Sequence, residues 1–336
     1  MFSRWLTAST HLPPIVLALL SLFSLATFDQ QSRVAASAFL RTAQAAAPQA
    51  PTERVARVDA ARLIQDVEAL AAPDLQGRLP GTPGSRKAQA IILQRFKQLK
   101  LQSVNGSHEQ RFSFTRTRGA SKQDVRDAVN LLGLVRGSSD PEGYVLVTAH
   151  YDHLGVRDGQ TYHGADDNAS GVAALLAIAG WFSTHQPRKS ILFAAFDAEE
   201  NGLQGSTHFV EKPPIDLRRI SAIVNMDMVG RGDKNEIFVA GTSQNPSLKA
   251  PVSEAAKGRS LTVRFGHDRS GVPGQDDWTH SSDHGPFHDA GVPFLYFGVE
   301  DHADYHKPTD TADRIPRAFF TEATELVLET VRRLAE

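Results

Sequence analysis

Residues 144–153 read YVLVTAHYDH, a short apolar run that ends in imidazole and carboxylate groups. Further short apolar runs occupy residues 191–196, 220–226 and 294–297, and stretches of helical or loop character separate them. Short, nearly continuous apolar runs are typical of strands in a sheet that is covered on both faces. The sequence therefore predicts an α/β fold with a mixed, mainly parallel central sheet, flanked by helices on both faces, in a single domain.

The remainder of the chain fits this architecture. Apolar residues recur with helical spacing over residues 59–70, and a second helix is predicted over 86–99 with Ser85 as its N-cap. Residues 112–135 contain the alternation of a strand pair. The glycine-rich segment 258–279 is expected to be irregular and to form a rim loop or lid.

The composition limits the classes of protein and site to be considered. The 336 residues are 41% hydrophobic and 22% charged, which is typical of a globular protein. With 36 Lys and Arg against 38 Asp and Glu, the formal net charge is −2, so no excess of positive charge favours nucleic-acid binding. The chain has no cysteine, so His, Asp and Glu side chains must hold any bound metal ion.

The amino-terminal segment has the features of an export signal. The apolar run Ile15–Phe28 is too short to cross a bilayer as a helix of about 20 residues, and small residues that suit signal cleavage follow it. We predict a signal peptide over residues 1–45, a flexible linker over 46–58 and one folded domain over 59–336, in an exported protein that is periplasmic or secreted. No stable membrane partner is expected after cleavage, and an uncleaved anchor is the alternative.

Polar side chains follow the first apolar run at the point where its strand would end. The carboxyl ends of strands in an open α/β sheet form the crevice where ligands bind. His150 and Asp152 are two residues apart, so on an extended chain both point to one face, where the carboxylate can orient the imidazole as a metal ligand. By itself, this pair also fits a hydrogen-bonded structural histidine.

The stretch GADDNASG, residues 164–171, places adjacent carboxylates before a predicted helix. Asp166 and Asp167 could act as helix-capping charges alone. The flanking Gly164 and Gly171 favour a ligand site instead, because glycine lets the backbone approach a ligand closely.

The later apolar runs are also followed by candidate site residues. Glu199 and Glu200 form a like-charged pair that needs a cation nearby if it is buried; one of them can bind a metal ion while the other takes a proton from water. Asp227 is a lone carboxylate in an apolar stretch and needs a partner for a similar reason. His302 and His306 both follow the last run, and sequence position alone does not choose between them.

Taken together, these segments resemble the co-catalytic dizinc aminopeptidases, metallopeptidase family twenty-eight. An upstream stretch, LQGRLPGTPG at 75–84, is similar to that family's entry to the catalytic domain. Five ordered motifs are a specific signal where any one of them would be weak. The five motifs are AHYDHLG at 149–155, GADDNASG at 164–171, DAEENGLQGS at 197–206, NMDMVG at 225–230 and YHKPTDT at 305–311.

The resemblance implies a set of site residues and two zinc ions per chain. One zinc would be held by His150, Asp167 and Asp227, and the other by Asp167, Glu200 and His306, so that Asp167 bridges the two ions. The remaining roles implied are those of Glu199 as general base, of Asp152 as the carboxylate behind His150, and of a cis peptide bond at Asp167-Asn168.

The implied activity is that of a metal-dependent exopeptidase. It would hydrolyse the amino-terminal peptide bond of peptides that have a free amino terminus, using water activated by the two zinc ions. Two alternatives stay open: a glutaminyl cyclase, a relative of the same fold that uses a single zinc for acyl transfer, and a binding relative without catalytic activity.

The sequence determines the choice of substrate less closely than it determines the site residues. Dipeptidases and carboxypeptidases of the same family use cationic groups near the metals, for which Arg231 and Arg269 are candidates, although surface arginines are common. Phe265, Trp278 and Phe287 are candidates for a side-chain pocket or for the core.

Overall fold

The structure is a computed structural model that describes residues 57–118 and 121–336, which belong to one compact unit, Arg54–Glu336. The described strands are β1 Glu109–Arg118, β2 Ser121–Val135, β3 Asp140–His150, β4 Val156–Arg157, β5 Gln160–Thr161, β6 Lys189–Phe196, β7 Ile220–Met226, β8 Glu236–Ala240, β9 Thr262–Phe265 and β10 Phe294–Gly298. The described α-helices are α1 Ala60–Leu70, α2 Pro83–Gln98, α3 Gly171–Phe182, α4 Gln204–Glu211, α5 Lys249–Ala256, α6 His284–Asp289 and α7 Arg317–Leu334.

Eight strands form one sheet in the order β1-β2-β6-β3-β7-β10-β8-β9, while β4 and β5 form a separate hairpin. The four neighbouring strands β6, β3, β7 and β10 run parallel and correspond to the four apolar runs of the sequence. Towards the edges, β2 pairs with β1 and β6 in antiparallel fashion, as does β8 with β10. This arrangement confirms the predicted mixed α/β sheet with a parallel centre.

Helices cover both faces of the sheet. Along β3, Val145 and Val147 face one hydrophobic cluster, which also contains side chains of α1, α3 and α7. Leu146, between them, faces a second cluster, to which α4 contributes Phe209 and α6 contributes Phe287. Because successive side chains of a strand alternate between faces, the central strands are apolar on both sides, as their continuous hydrophobic runs predicted.

The second helix begins earlier than predicted. Its N-cap is Thr82, whose hydroxyl accepts a hydrogen bond from the Ser85 N–H over 3.3 Å, and Pro83 is the first helical residue. The prediction of Ser85 as the cap was wrong because proline is well tolerated at the first helical position, where its missing N–H has no partner to lose.

Four short strands were not predicted: β4 and β5 of the separate hairpin, and β8 and β9 of the main sheet. β8 and β9 pair in parallel at one edge of the sheet, and β9 lies inside the segment 258–279 that was expected to be irregular throughout. Residues 266–283 contain no helix or strand and pass over the carboxyl edge of the sheet, where Asp276 and Trp278 line the main cavity.

The amino-terminal predictions fall largely outside the described residues. This is true of the whole signal peptide and of the predicted linker up to residue 56. The last two residues of that linker contact α7: the Val58 N–H donates to Glu325 over 2.7 Å, and Arg57 forms an ion pair with Glu329. Among the helices of the described part of the chain, none has the length and hydrophobicity needed to cross a membrane.

Candidate metal centre

The centre begins at the carboxyl end of β3. His150 is the last residue of this strand and is almost fully buried. Its Nδ1 lies 3.6 Å from the nearer carboxylate oxygen of Asp152 and 3.3 Å from the main-chain oxygen of the same residue. The two oxygens of the Asp152 carboxylate accept hydrogen bonds from the main-chain N–H groups of Glu199 and Glu200, over 3.0 and 3.3 Å. Asp152 therefore links the end of β3 to the turn that follows β6.

The turn before α3 directs Asp167 into the same space. Gly164 adopts a left-handed conformation at its start, and the Asp167-Asn168 peptide bond is cis, as predicted. The buried carboxylate of Asp310 accepts hydrogen bonds from the main-chain N–H groups of Asp166 and Asp167, over 3.0 and 3.1 Å. One carboxylate oxygen of Asp167 lies 3.4 Å from His150 Nε2, while the other faces His306.

Asp227 completes a first group of donor atoms. It follows β7, and its Oδ1 lies 3.2 Å from His150 Nε2. The donor atoms of His150, Asp167 and Asp227 all lie within 4.8 Å of one another, and all three residues are buried. One nitrogen and two carboxylate oxygens at this spacing form a suitable cage for a zinc ion with an open position.

A second group forms on the other side of Asp167. His306 Nε2 lies 3.0 Å from Asp167 Oδ2 and 3.5 Å from Glu200 Oε2. His302, the alternative histidine, instead contacts the buried Asp166 over 3.2 Å, behind the centre. The structure thus places His306, the histidine named by the family resemblance, beside Asp167 and Glu200, and His302 beside Asp166.

Glu199 lies in the same cavity but in neither donor group. Burial raises its pKa well above the usual range; the charge of His150 opposes this shift, and the charge of Asp227 reinforces it. A carboxyl group with a raised pKa beside potential metal sites is suited to accept and release a proton.

The cavity has the charge expected for cation binding. Its lining includes six carboxylates and two imidazoles beside aromatic and aliphatic side chains, and no lysine or arginine lines it within the residues that the structure describes. Glu200 Oε1 is buried without a hydrogen-bond partner, although buried polar atoms are normally paired. Because like charges that are buried together require a counter-charge, this donor set fits divalent metal ions.

Sequence reasoning assigned no role to three buried residues of the centre. His153 contacts Glu200 and Asp167, Asp310 holds the Asp167 turn, and Asp283 lies close enough to Glu199 to raise its pKa. His153 and Asp310 lie within motifs singled out in the sequence, whereas Asp283 does not. Their side-chain directions could not be read from it.

Of the residues suggested by the sequence for substrate contacts, only one lines the cavity. Trp278 lines the cavity, whereas Phe287 belongs to the hydrophobic cluster beneath the sheet and Phe265 packs against the opposite cluster. Arg231 pairs with Asp304 and Asp233, and Arg269 hydrogen-bonds to a serine hydroxyl; neither lines the cavity.

Arg78, in the LQGRLPGTPG stretch, holds together the main-chain segments that surround the metal centre. Its buried guanidinium donates hydrogen bonds of 2.6 to 2.9 Å to the main-chain oxygens of Leu70, Tyr151, His163 and Gly164. Burial lowers the pKa of Arg78 to about 10, which still leaves it cationic at neutral pH. One buried side chain therefore joins α1 to the two segments that carry His150 and Asp167.

Replacing Arg78 by Met is expected to destabilise the metal-free chain by about 3 to 5 kcal/mol, because several buried carbonyl groups lose their donors. Urea unfolding in the presence of a chelator measures this change. The matched control is Arg86→Met, which removes an exposed ion pair with Asp127 and is expected to cost at most about 1 kcal/mol. Equal unfolding midpoints for the two variants would show that Arg78 has no such role.

Comparisons with known proteins agree with this geometry. The curated relatives include the aminopeptidase YwaD of Bacillus subtilis, 29% identical over 274 residues, which are 77% of this chain and 53% of the relative. A probable glutamate carboxypeptidase of Zea mays, VP8, is 33% identical over 205 residues, 56% of this chain and 26% of the relative. The chain thus spans about half the length, or less, of these curated relatives.

Solved structures share the fold. The zinc aminopeptidase BSAP of Bacillus subtilis superposes with a TM-score of 0.65 at 20% identity, covering 83% of this chain and 96% of that protein. A glutaminyl cyclase from an Acidobacteriales bacterium superposes with a TM-score of 0.66 at 25% identity, covering 86% and 99%. The sequence model of peptidase family M28 matches residues 130–331, which include every strand end of the metal centre. The chain therefore belongs to peptidase family M28.

Proposed function

We propose that this protein is a zinc-dependent aminopeptidase with two zinc ions that share Asp167. The observation that carries the proposal is the presence of two donor groups on opposite sides of one buried carboxylate. Family membership and the aminopeptidases among its relatives support the same activity.

His150, Asp167 and Asp227 would hold one zinc ion, and Asp167, Glu200 and His306 the other. When bound, the ions would supply Lewis-acid polarisation of the substrate carbonyl and would make water a better nucleophile at neutral pH. Asp167 would be a ligand common to both ions, and the Asp310 carboxylate holds Asp167 in place by accepting a hydrogen bond from the Asp167 main-chain N–H.

Glu199 would act as the general base and then as the general acid. It lines the cavity without belonging to either donor group, so its carboxylate is free to accept a proton from the attacking water. The same group would pass this proton to the amine that leaves when the peptide bond breaks. Asp152, which accepts a hydrogen bond from the Glu199 N–H, would position this residue as well as His150.

The lining of the cavity favours substrates with a free amino terminus. Asp276 and Asp301 add further carboxylates at its rim, and no arginine or lysine of the described residues lines it. An ammonium group is attracted to such a lining, whereas a carboxylate terminus finds no cationic side chain there. This composition supports an aminopeptidase over a carboxypeptidase.

The experiment is a comparison of free and blocked substrates. The purified, zinc-loaded chain is assayed with a series of aminoacyl p-nitroanilides and with the matching N-acetylated compounds. We expect hydrolysis of the free-amine series and a loss of at least about 100-fold in kcat/KM on acetylation, because the ammonium contact is removed. Equal hydrolysis of both series would contradict the proposal, as would the absence of hydrolysis by a fully loaded chain, which would favour a non-catalytic binding protein.

Glutaminyl cyclisation is the second candidate, because a glutaminyl cyclase is among the similar structures. A cyclase of the kind described above needs one zinc ion, whereas this chain offers two donor groups. Turnover of a peptide with amino-terminal glutamine to the cyclised product, together with one zinc per chain, would favour the cyclase.

We further propose that the chain is exported to the periplasm or the medium. The support is the apolar run Ile15–Phe28 with small residues after it. Fusion of residues 1–45 to an alkaline phosphatase without its own signal tests the proposal, because that reporter is active only after export. An inactive fusion would contradict it.

A further inference from the structure

His153 is a fully buried imidazole at the edge of the second donor group. It lies three residues after His150, where the chain has left β3, and it has no exposed surface. Gly164 packs directly on its ring: a Cβ at this glycine would lie 2.6 Å from two ring carbons. The absence of a side chain at residue 164 therefore lets the imidazole occupy this position.

Neither ring nitrogen of His153 has a hydrogen-bond partner. Its Nδ1 lies 2.6 Å from Glu200 Oε1, which also has no hydrogen-bond partner, and 3.7 Å from Asp167 Oδ2. The contact between Nδ1 and Oε1 lacks hydrogen-bond geometry, and Nε2 has no partner, so both buried groups are incompletely satisfied, which is costly. A metal ion bound by both of these atoms would satisfy the two groups.

The position of His153 matches that of a metal ligand. One donor atom each from His153, Asp167 and Glu200 lie within 4.8 Å of one another. The ring of His306 lies on the same carboxylates, with its centre 5.9 Å from that of His153. The two imidazoles differ in burial, because the side chain of His306 is 39% exposed and that of His153 is not exposed at all.

We propose that His153 is a ligand of the second metal ion, together with Asp167, Glu200 and His306. This inference rests on one part of the proposed function, namely that a second metal ion binds. The second half of the centre would then contain two imidazoles, one of them shielded from water, and would hold its ion more tightly than the three other ligands alone.

The test compares the wild type with His153→Phe, which keeps a ring of similar size against Gly164. Metal content after dialysis against graded chelator concentrations gives the affinity of each zinc ion. We expect the variant to keep one ion and to lose affinity for the other by more than about 100-fold, beyond the 10- to 100-fold cost of changing a residue that only orients a ligand. His108→Phe is the control, since this half-buried histidine just before β1 bonds to a main-chain oxygen outside the cavity.

A spectroscopic measurement distinguishes a ligand from a positioning residue. In the cobalt-substituted wild type, proton NMR is expected to show shifted, exchangeable ring N–H signals from three imidazoles, those of His150, His153 and His306. The His153→Phe variant should show two. Two such signals in the wild type, or an unchanged second affinity in the variant, would overturn the inference while leaving the two-ion centre intact.

If His153→Phe fails to fold, the variant His306→Ala tests the same inference. In His306→Ala, the group of His153, Asp167 and Glu200 remains, so we expect a second ion to bind with reduced affinity and the signal of His153 to persist. Complete loss of the second ion in this variant would overturn the role of His153. A wild type that binds fewer than two ions would reject the inference together with the dizinc proposal.

Discussion

Replacing Glu199 by Gln is expected to lower kcat by about 10²- to 10⁴-fold, the usual contribution of a positioned general base, while the chain keeps both metal ions. The amide has nearly the shape of the carboxylate but cannot accept the proton of the attacking water. Because Glu199 belongs to neither donor group, its neutralisation removes no metal ligand. Rates on an aminoacyl p-nitroanilide, measured beside zinc content, test both parts of this prediction.

Two control variants make the Glu199 result specific. Glu200→Gln, one residue away, is expected to lose the second metal ion, and Glu211→Gln, exposed at the end of α4, is expected to change neither rate nor metal content. A Glu199→Gln variant with full activity would remove this residue from the mechanism. Loss of zinc in the same variant would make it a ligand.

Replacing Asp167 by Asn is expected to weaken the binding of both zinc ions by more than about 100-fold and to abolish activity. Asp167 is the residue common to the two groups, with one carboxylate oxygen facing His150 and the other facing His306. A neutral amide offers one oxygen in place of two, so it can no longer bridge. Titration of the metal-free variant with zinc in a calorimeter measures the loss for each ion.

Asp276→Asn is the matched control for this change. It also neutralises a carboxylate that lines the cavity, but one at the exposed rim, and it is expected to alter zinc affinity little. If Asp167→Asn bound two zinc ions as the wild type does, the shared position of Asp167 would be disproved.

Much of the fold was predictable because the central strands are apolar on both faces. The apolar runs of β3, β6, β7 and β10 could be identified as strands without knowing which strands they pair with. The short edge strands β8 and β9 were missed for the opposite reason. Residues 262–265 alternate between exposed and half-buried positions over a length too short for periodicity to be read, and their pairing with β8 depends on the tertiary structure.

Candidate donor residues could be named from the sequence because His150, Glu200 and Asp227 lie at or just after the ends of strands in the parallel centre of the sheet, where the topology brings strand ends together. His153 was missed because alternation along an extended chain would direct it away from His150. The strand in fact ends at His150, so alternation no longer applies, and the ring of His153 reaches Glu200. The choice of His306 over His302 came from family resemblance; the residues alone left it open.

The most direct test of the account is anomalous diffraction at the zinc absorption edge from crystals of the zinc-loaded chain. The account predicts two strong peaks inside the cavity with the carboxylate of Asp167 between them. Zinc on the partly exposed group of His280, His288 and Asp289 would be a separate surface ion. A single peak in the cavity, or peaks that leave Asp167 without contact to either ion, would contradict the account.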